Sequence, residues 1–257
     1  MENSRISVLL PTYNRADRIQ NAIQSIIDQT FKNWELIIVD DGSEDETKRI
    51  VSNFENPRIR YEKIEHQGNL SKVRNIAIQM ATSELAVVQD SDDQSFPDRL
   101  EHIWNAYCKS KADVIYHDFY IRFFDATRNA FSRRMRRVGE YHQDLMIQSQ
   151  YLPGQVAYKV KTAKKYPYNE KVTVMDDFIF LIELALNDCK FEYIPRPLYD
   201  YVISSDSINI AAEDDGRRVE DAKTIVDIMR TKYKLEAHGS LKRWNTETGE
   251  VLKDETI

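Results

Sequence analysis

Apolar positions along the first part of the chain keep changing period. Residues 6–10 form a short apolar run, interrupted only at Ser7 and closed by Pro11, and beyond Asn14 the side chains Ile19, Ala22, Ile23, Ile26 and Ile27 fall at helical spacing. That is a strand followed by a helix, with Asn14 placed to cap it and Asp17 favouring its positive end. The pattern returns at residues 36–39, where Asp40, Asp41, Gly42 and Ser43 lead into Thr47, Ile50, Val51 and Phe54, and Ser43 and Glu46 have the spacing of a capping box. A third, weaker unit begins at residues 58–61, passes a loop at His66, Gln67, Gly68 and Asn69, and continues with Val73, Ile76, Ala77 and Met80 on one helix face. The fourth runs from residues 85–89 through Asp90, Ser91, Asp92 and Asp93 to a helix bearing Leu100, Ile103, Trp104 and Tyr107, where Ser95 and Asp98 again have capping-box spacing.

Strands and helices alternating at these lengths predict an α/β fold: a mostly parallel sheet flanked by helices. Beyond about residue 112 the regularity fades. Residues 114–116 and 119–124 read as strands, Arg133, Arg134, Met135, Arg136 and Arg137 as a basic run in a loop, residues 176–186 as a helix and residues 191–194 as a strand. A long helix is expected from about residue 212 to residue 233, and from His238 on the sequence is polar and expected to be poorly ordered. The expected organisation is a ligand-binding half over residues 1–110, a mixed half of the same domain over 111–211, and a C-terminal helix and tail over 212–257.

Ligands of such sheets bind outside the carboxyl ends of the strands. Pro11, Thr12 and Tyr13, then Asp40 and Asp41, then Asp90, Ser91 and Asp92 all fall there, so polar strand ends converge on one edge. A cap needs one acceptor, which leaves Asp90, Asp92 and Asp93 unexplained; like charges this close are usually offset by a cation or hydrogen-bonding ligand. Oxygen-rich clusters suit Mg or Mn rather than Zn. Residues 90 and 92 would point the same way in an extended chain.

Composition narrows the setting. With 36 basic and 42 acidic side chains and a net charge of −6 among 257 residues, the chain is not a general nucleic-acid binder. Cys108 and Cys189, the two cysteines, lie in amphipathic stretches and are expected as buried thiols in a reducing compartment. No apolar run is long enough to span a bilayer and residues 1–5 lack the hydrophobic region of a signal peptide, so a cytoplasmic location is expected. Pro11, Thr12, Tyr13, Asn14 and Arg15 contain no glycine, which excludes a dinucleotide fingerprint or P-loop after the first strand. A phosphoacceptor receiver domain would use less than half the chain.

Taken in order, Ser7-Val8-Leu9-Leu10-Pro11-Thr12-Tyr13-Asn14, Val39-Asp40-Asp41-Gly42-Ser43, Val73-Arg74-Asn75 and Asp90-Ser91-Asp92-Asp93 resemble the family 2 inverting glycosyltransferases, more loosely as far as Asp176-Asp177 and Pro197-Leu198-Tyr199. The resemblance implies a GT-A, Rossmann-like fold and a nucleotide-diphospho-sugar donor, UDP-linked by expectation. It implies that Pro11, Thr12 and Tyr13 contact the nucleotide, that Asp41, with Asp40 a close second, takes the hydrogen bond of a uracil imide, and that Arg74 lies in the donor pocket. Asp90-Ser91-Asp92 matches the family's Asp-x-Asp motif, implying that Asp92 binds a divalent Mn or Mg while Asp90 and Ser91 address the ribose; Asp93 is left without a task. An inverting displacement needs a base on the acceptor hydroxyl. The family's usual Glu-Asp stands here as Asp176-Asp177, which selects Asp177 and leaves Asp176 open. The acceptor would be a glycan or lipid-linked glycan, the latter bringing the chain to the inner face of the membrane; oligomeric state is not indicated. A non-catalytic binding module of the same fold is the alternative, and a metal-dependent phosphohydrolase a weaker one.

Overall fold

The computed structural model describes residues 4–125, 130–143, 152–203 and 217–233. The apolar runs become β1 (Ile6–Thr12), β2 (Trp34–Asp40) and β4 (Leu85–Val88), each buried along its whole length, as parallel strands covered on both faces must be. Alternation sends Val8 and Leu10 to one core, with Ile19, Ile23 and Ile26 of α1 (Ile19–Ile27) and Leu100 and Ile103 of α4 (Arg99–Ser110). Leu9, Val39 and Val88 face the other, against Val73 and Ala77 of α3 (Leu70–Met80) and the apolar α6 (Asp176–Leu186).

The remaining elements are α2 (Thr47–Ser52), β3 (Ile59–Lys63), β5 (Gln94–Ser95), β6 (Val114–Asp125), β7 (Ala130–Arg136), β8 (Ala157–Lys159), α5 (Val160–Lys165), β9 (Phe191–Val202) and α7 (Arg217–Tyr233). They complete a nine-stranded sheet ordered β3-β2-β1-β4-β8-β6-β9-β5, with β7 attached to β6. Strands β1 to β4 pair in parallel; β8 runs antiparallel to both β4 and β6, β6 and β9 are parallel, and β5 and β7 antiparallel to their neighbours. The parallel first half and mixed second half are as the pattern predicted.

Several local expectations are corrected. The basic run is not a loop but most of strand β7, paired residue for residue with β6; long arginines suit an edge strand because they discourage further pairing. The two short strands expected before it are one strand, and the strand at residue 191 continues to Val202. Neither expected capping box forms: the residues before α2 and α4 are Glu46 and Asp98, without side-chain cap bonds. Asn14 does not cap α1, which starts at Ile19 after Arg18. The turn at residues 90–93 closes through the Asp93 amide on the Asp90 carbonyl (3.3 Å), so the extended geometry assumed for residues 90 and 92 does not hold. Cys108 is exposed and Cys189 intermediate, not buried. Residues 212–216 and the tail from His238 lie outside the described residues. Among the described residues no helix is long and apolar enough to cross a membrane.

Candidate active site

Pro11 opens the site. The Leu9 carbonyl accepts from the Gln89 amide (3.0 Å) and the Thr12 carbonyl from the Asp41 amide (2.9 Å), so alternation turns the Pro11 nitrogen to the β4 side, where β4 has ended at Val88. The missing N–H costs no ladder bond, and the sheet parts between the ends of β1 and β4.

On one flank of this gap Tyr13, 41% exposed, stacks on His66 with ring centroids 4.3 Å apart. The Asp41 carboxylate, 5% exposed, accepts the Gln67 and Gly68 amides at 2.7 and 3.1 Å and lies 3.0 Å from His66 Nδ1. Those contacts leave acceptor positions on its two oxygens. Asp40 differs: it is fully buried, one oxygen taking the Ser43 amide (2.7 Å) and the other the Tyr61 hydroxyl (2.5 Å), and it shapes the turn. A Cβ on Gly42 would stand 3.1 Å from the His66 backbone nitrogen, and its φ of +82° is one that other residues strain to adopt. Asn14 (φ +48°) accepts the Glu44 amide while its own amide donates to Ser43 Oγ, locking the first turn to the second. Thr12 Oγ1 is buried without a hydrogen-bond partner among the described residues. His66 was not singled out from sequence; only its place in the loop facing Tyr13 distinguishes it.

Across the gap lies the acid turn. Asp90 receives Gln155 Nε2 on one oxygen (2.8 Å) and faces Arg74 with the other (3.4 Å), and its amide donates to the Tyr199 hydroxyl. Ser91 is 7% exposed. Burial pushes the Asp92 carboxyl above the usual carboxylate range, Asp90 adding to the shift and Arg15 and Arg18 opposing it. Asp93, without a role from sequence, is fully buried and accepts the Val202 amide (2.7 Å), fastening the turn to the end of β9.

Arg74 joins this turn to a second acid pair. The expected donor-pocket cation is 6% exposed, its guanidinium 2.5 Å from Asp176 and 3.4 Å from Asp90, over the Tyr168 ring. Asp176 is thereby held in an ion pair, whereas Asp177, next along α6, keeps part of its surface exposed. Burial and then the neighbouring Asp176 charge push Asp177 up to about 6. A Cβ on Gly154 would lie 2.4 Å from Asp177 Oδ2, so only glycine lets this segment approach the carboxylate. Behind it, the buried Asp221 of α7 accepts the amides of Thr173, Val174 and Met175 and fixes the approach to α6.

Beneath both acid groups sits Arg99, fully buried and without a carboxylate in its hydrogen bonds. It donates to the Val88 and Gln155 carbonyls, Gln89 Oε1, Ser95 Oγ and His117 Nε2. Accepting from Arg99 requires His117 unprotonated at Nε2, and burial with the Arg99 charge pushes that imidazole down to about 3. Arg99 thus ties the acid turn to the segment that abuts Asp177. Arg99→Met would leave those acceptors unmatched, and a loss of about 3 kcal/mol is expected in urea unfolding; a change under about 1 kcal/mol would mean the network is not carried by this residue.

The arrangement is a cleft with a stacked aromatic and a carboxylate on one flank, an acid turn on the other, and a raised-pKa carboxylate behind. The model of glycosyl transferase family 2 matches residues 7–175. The chain belongs to that family. An uncharacterized glycosyltransferase of Methanocaldococcus jannaschii is 27% identical over 79% of this chain and 72% of its own length. The Escherichia coli UDP-Glc:alpha-D-GlcNAc-diphosphoundecaprenol beta-1,3-glucosyltransferase is 31% identical over 47% of this chain and 48% of its own length; the chain spans about half or less of that relative and of the next ones matched. Among solved structures, S. aureus TarS in complex with UDP-GlcNAc superimposes with a TM-score of 0.71 at 20% identity, over 88% of this chain and 67% of that one. The fold of this family 2 glycosyltransferase is GT-A.

No group of three or more metal-binding side chains occurs among its described residues. The chemistry of the acid turn suits a divalent cation: Asp92 would offer hard carboxylate oxygens, and its ionised form is penalised by burial and by Asp90. Mg and Mn accept such a site, taking one or two carboxylates and completing their shell with phosphate and water.

Proposed function

We propose that the glycosyltransferase is inverting and metal-dependent, moving a sugar from a nucleotide-diphosphate donor, UDP-linked, to a hydroxyl of a glycan or lipid-linked acceptor in surface polysaccharide assembly. The observation that carries the reading is Asp177: a carboxylate raised to about 6 and only partly covered, held one residue from an Arg74–Asp176 pair that itself reaches Asp90 of the acid turn. An inverting transfer needs a base on the face of the sugar opposite the leaving group, and the ion pair on Asp176 leaves Asp177 for that task.

In this reading Tyr13 and His66 hold the base, Asp41 accepts the imide N–H, and Pro11 and Thr12 line the nucleotide, with Thr12 Oγ1 gaining the partner it lacks. Asp90 and Ser91 address the ribose. Arg74 keeps the acid turn and α6 in register rather than presenting its charge openly. Asp92 would hold the Mn or Mg, which when bound supplies positive charge to the departing diphosphate. Asp177 removes the acceptor hydroxyl's proton as that oxygen attacks the anomeric carbon and the bond to the diphosphate breaks. Two relatives support the donor class: the Escherichia coli protein is a UDP-Glc:alpha-D-GlcNAc-diphosphoundecaprenol glucosyltransferase, and TarS is seen in complex with UDP-GlcNAc.

UDP release monitored over a panel of sugar nucleotides with Mn tests the reading; binding without release over the whole panel would reduce the chain to a binding module. For the metal, Asp92→Ala is expected to weaken Mn-dependent UDP binding by calorimetry about 10- to 100-fold. Equal affinity of the wild type with and without Mn would remove the metal assignment.

A further inference from the structure

The basic strand takes no part in the cleft, and its geometry is particular. In β7, Phe131, Arg133 and Met135 alternate onto one face, opposite Phe124, Arg122 and Tyr120 of β6. Phe131 and Met135 are 59% and 40% exposed, and with Tyr13 and Val219 they are the exposed large hydrophobics among the described residues. Tyr13 belongs to the cleft, so this one strand holds two of the remainder. The Arg133 side chain is half exposed and Arg137, one residue past the strand, is exposed, while the exposed Arg134 alternates to the reverse face. The Arg122 guanidinium lies 4.8 Å over the Phe131 ring, so cation and apolar surface are presented together. Asp200 of β9, whose side chain is 1% exposed, is paired with Arg133 at 2.5 Å, which leaves Arg133 half exposed at the edge of this face.

We propose that this face of the β6–β7 hairpin docks on an anionic lipid surface, with the arginines on headgroup phosphates and Phe131 and Met135 at the acyl boundary. Two properties favour a lipid surface over a soluble polyanion. A polyanion would engage the guanidinium groups and leave Phe131 and Met135 in water, whereas an interface takes both. The row is short, at the end of the sheet's periphery, and carries cations and apolar groups in alternation rather than in a cleft that would enclose a chain. Its position also has a use: Arg122 stands beside Val202 of β9, whose amide holds Asp93 of the acid turn. A membrane at this face therefore lies next to the donor site. That last point rests on the proposed transfer to an acceptor; the docking itself does not.

Flotation with phosphatidylcholine vesicles, with and without phosphatidylglycerol, tests the proposal on the full chain. Wild type should float with the anionic vesicles only, and less as salt rises. Loss of one guanidinium, Arg137→Ser, should weaken partitioning about fivefold, and Phe131→Ser with Met135→Ser by at least as much, while Lys48→Ser on α2 should leave it unchanged. All these positions are exposed, so melting temperatures should stay near wild type. No flotation overturns the proposal. So does flotation that survives the Phe131 and Met135 substitutions while a soluble polyanion such as dextran sulfate competes fully, which would make the face a polyanion site instead. UDP release in the same variants, measured without vesicles, should match wild type; its failure in the wild type would count against the proposed transfer and leave the docking result standing.

Discussion

Asp177→Asn should lower sugar transfer by about 10²- to 10⁴-fold, the range that a positioned general base supplies, while UDP affinity stays within about twofold of wild type. The amide keeps the shape of the carboxylate and its bond from the Phe178 amide on Oδ1 (2.7 Å), but cannot accept the proton of the acceptor hydroxyl. Wild-type transfer carries a matching signature in pH. Since the carboxyl is pushed up to about 6, the base is ionised above that value and lost as pH falls through it, so turnover should decline on the acid side near pH 6 rather than near 4. Asn at residue 177 should remove that limb from whatever activity remains. Unchanged turnover in the variant would take Asp177 out of the base role, and attention would pass to Asp176, whose ion pair with Arg74 would then have to open.

Gly154→Ala is the second large effect expected. Its new methyl would lie 2.4 Å from Asp177 Oδ2 and 3.1 Å from Asp177 Cβ, against an ordinary contact of about 3.5 Å. Either the carboxylate turns away or the segment at residues 152–156 lifts by roughly an ångström. Displacements of that size at a reacting group reduce rate about 10²-fold. The nucleotide flank, built from Tyr13, His66 and Asp41, is untouched by the change, so the loss should fall on kcat with donor KM little altered. A Gly154→Ala enzyme with wild-type kcat would show that the carboxylate has room the structure does not give it.

The first half of the fold was legible because its signal is local. Buried parallel strands are apolar runs, their helices carry periodic apolar faces, and a polar strand end follows each; the runs at residues 6–10, 36–39 and 85–89 mark β1, β2 and β4 to within two residues at each end. The second half was less so. Strand β7 is an edge strand whose arginines look like a solvated loop until β6 is known to lie beside it, and β9 outran its apolar start because Pro195 and Pro197 interrupt the pattern. Caps failed for a different reason: Ser43, Asn14 and Ser95 have the right spacing, but each hydrogen-bonds to a partner distant in the chain or buried beneath it, and tertiary demand overrode the local motif.

In the site, motif resemblance marks Asp41, Asp90, Asp92 and Asp177 and puts Arg74 in the pocket, where it lies buried between Asp90 and Asp176. Gly154, Gln155, Arg99 and His66 were missed. None carries a motif: a glycine matters only once its neighbour is seen, and a buried arginine with five neutral or backbone acceptors has no sequence signature.

Pro11 sets how the cleft stands before any ligand arrives. A residue with an N–H at that position could donate to the chain after Val88 and continue the sheet, closing the gap by pairing. Without the donor that rung of the ladder cannot form, so entry of a nucleotide has one backbone hydrogen bond fewer to break. The cleft is preorganised by the absence of one hydrogen, and binding energy that would otherwise be spent on opening the sheet remains for holding the donor.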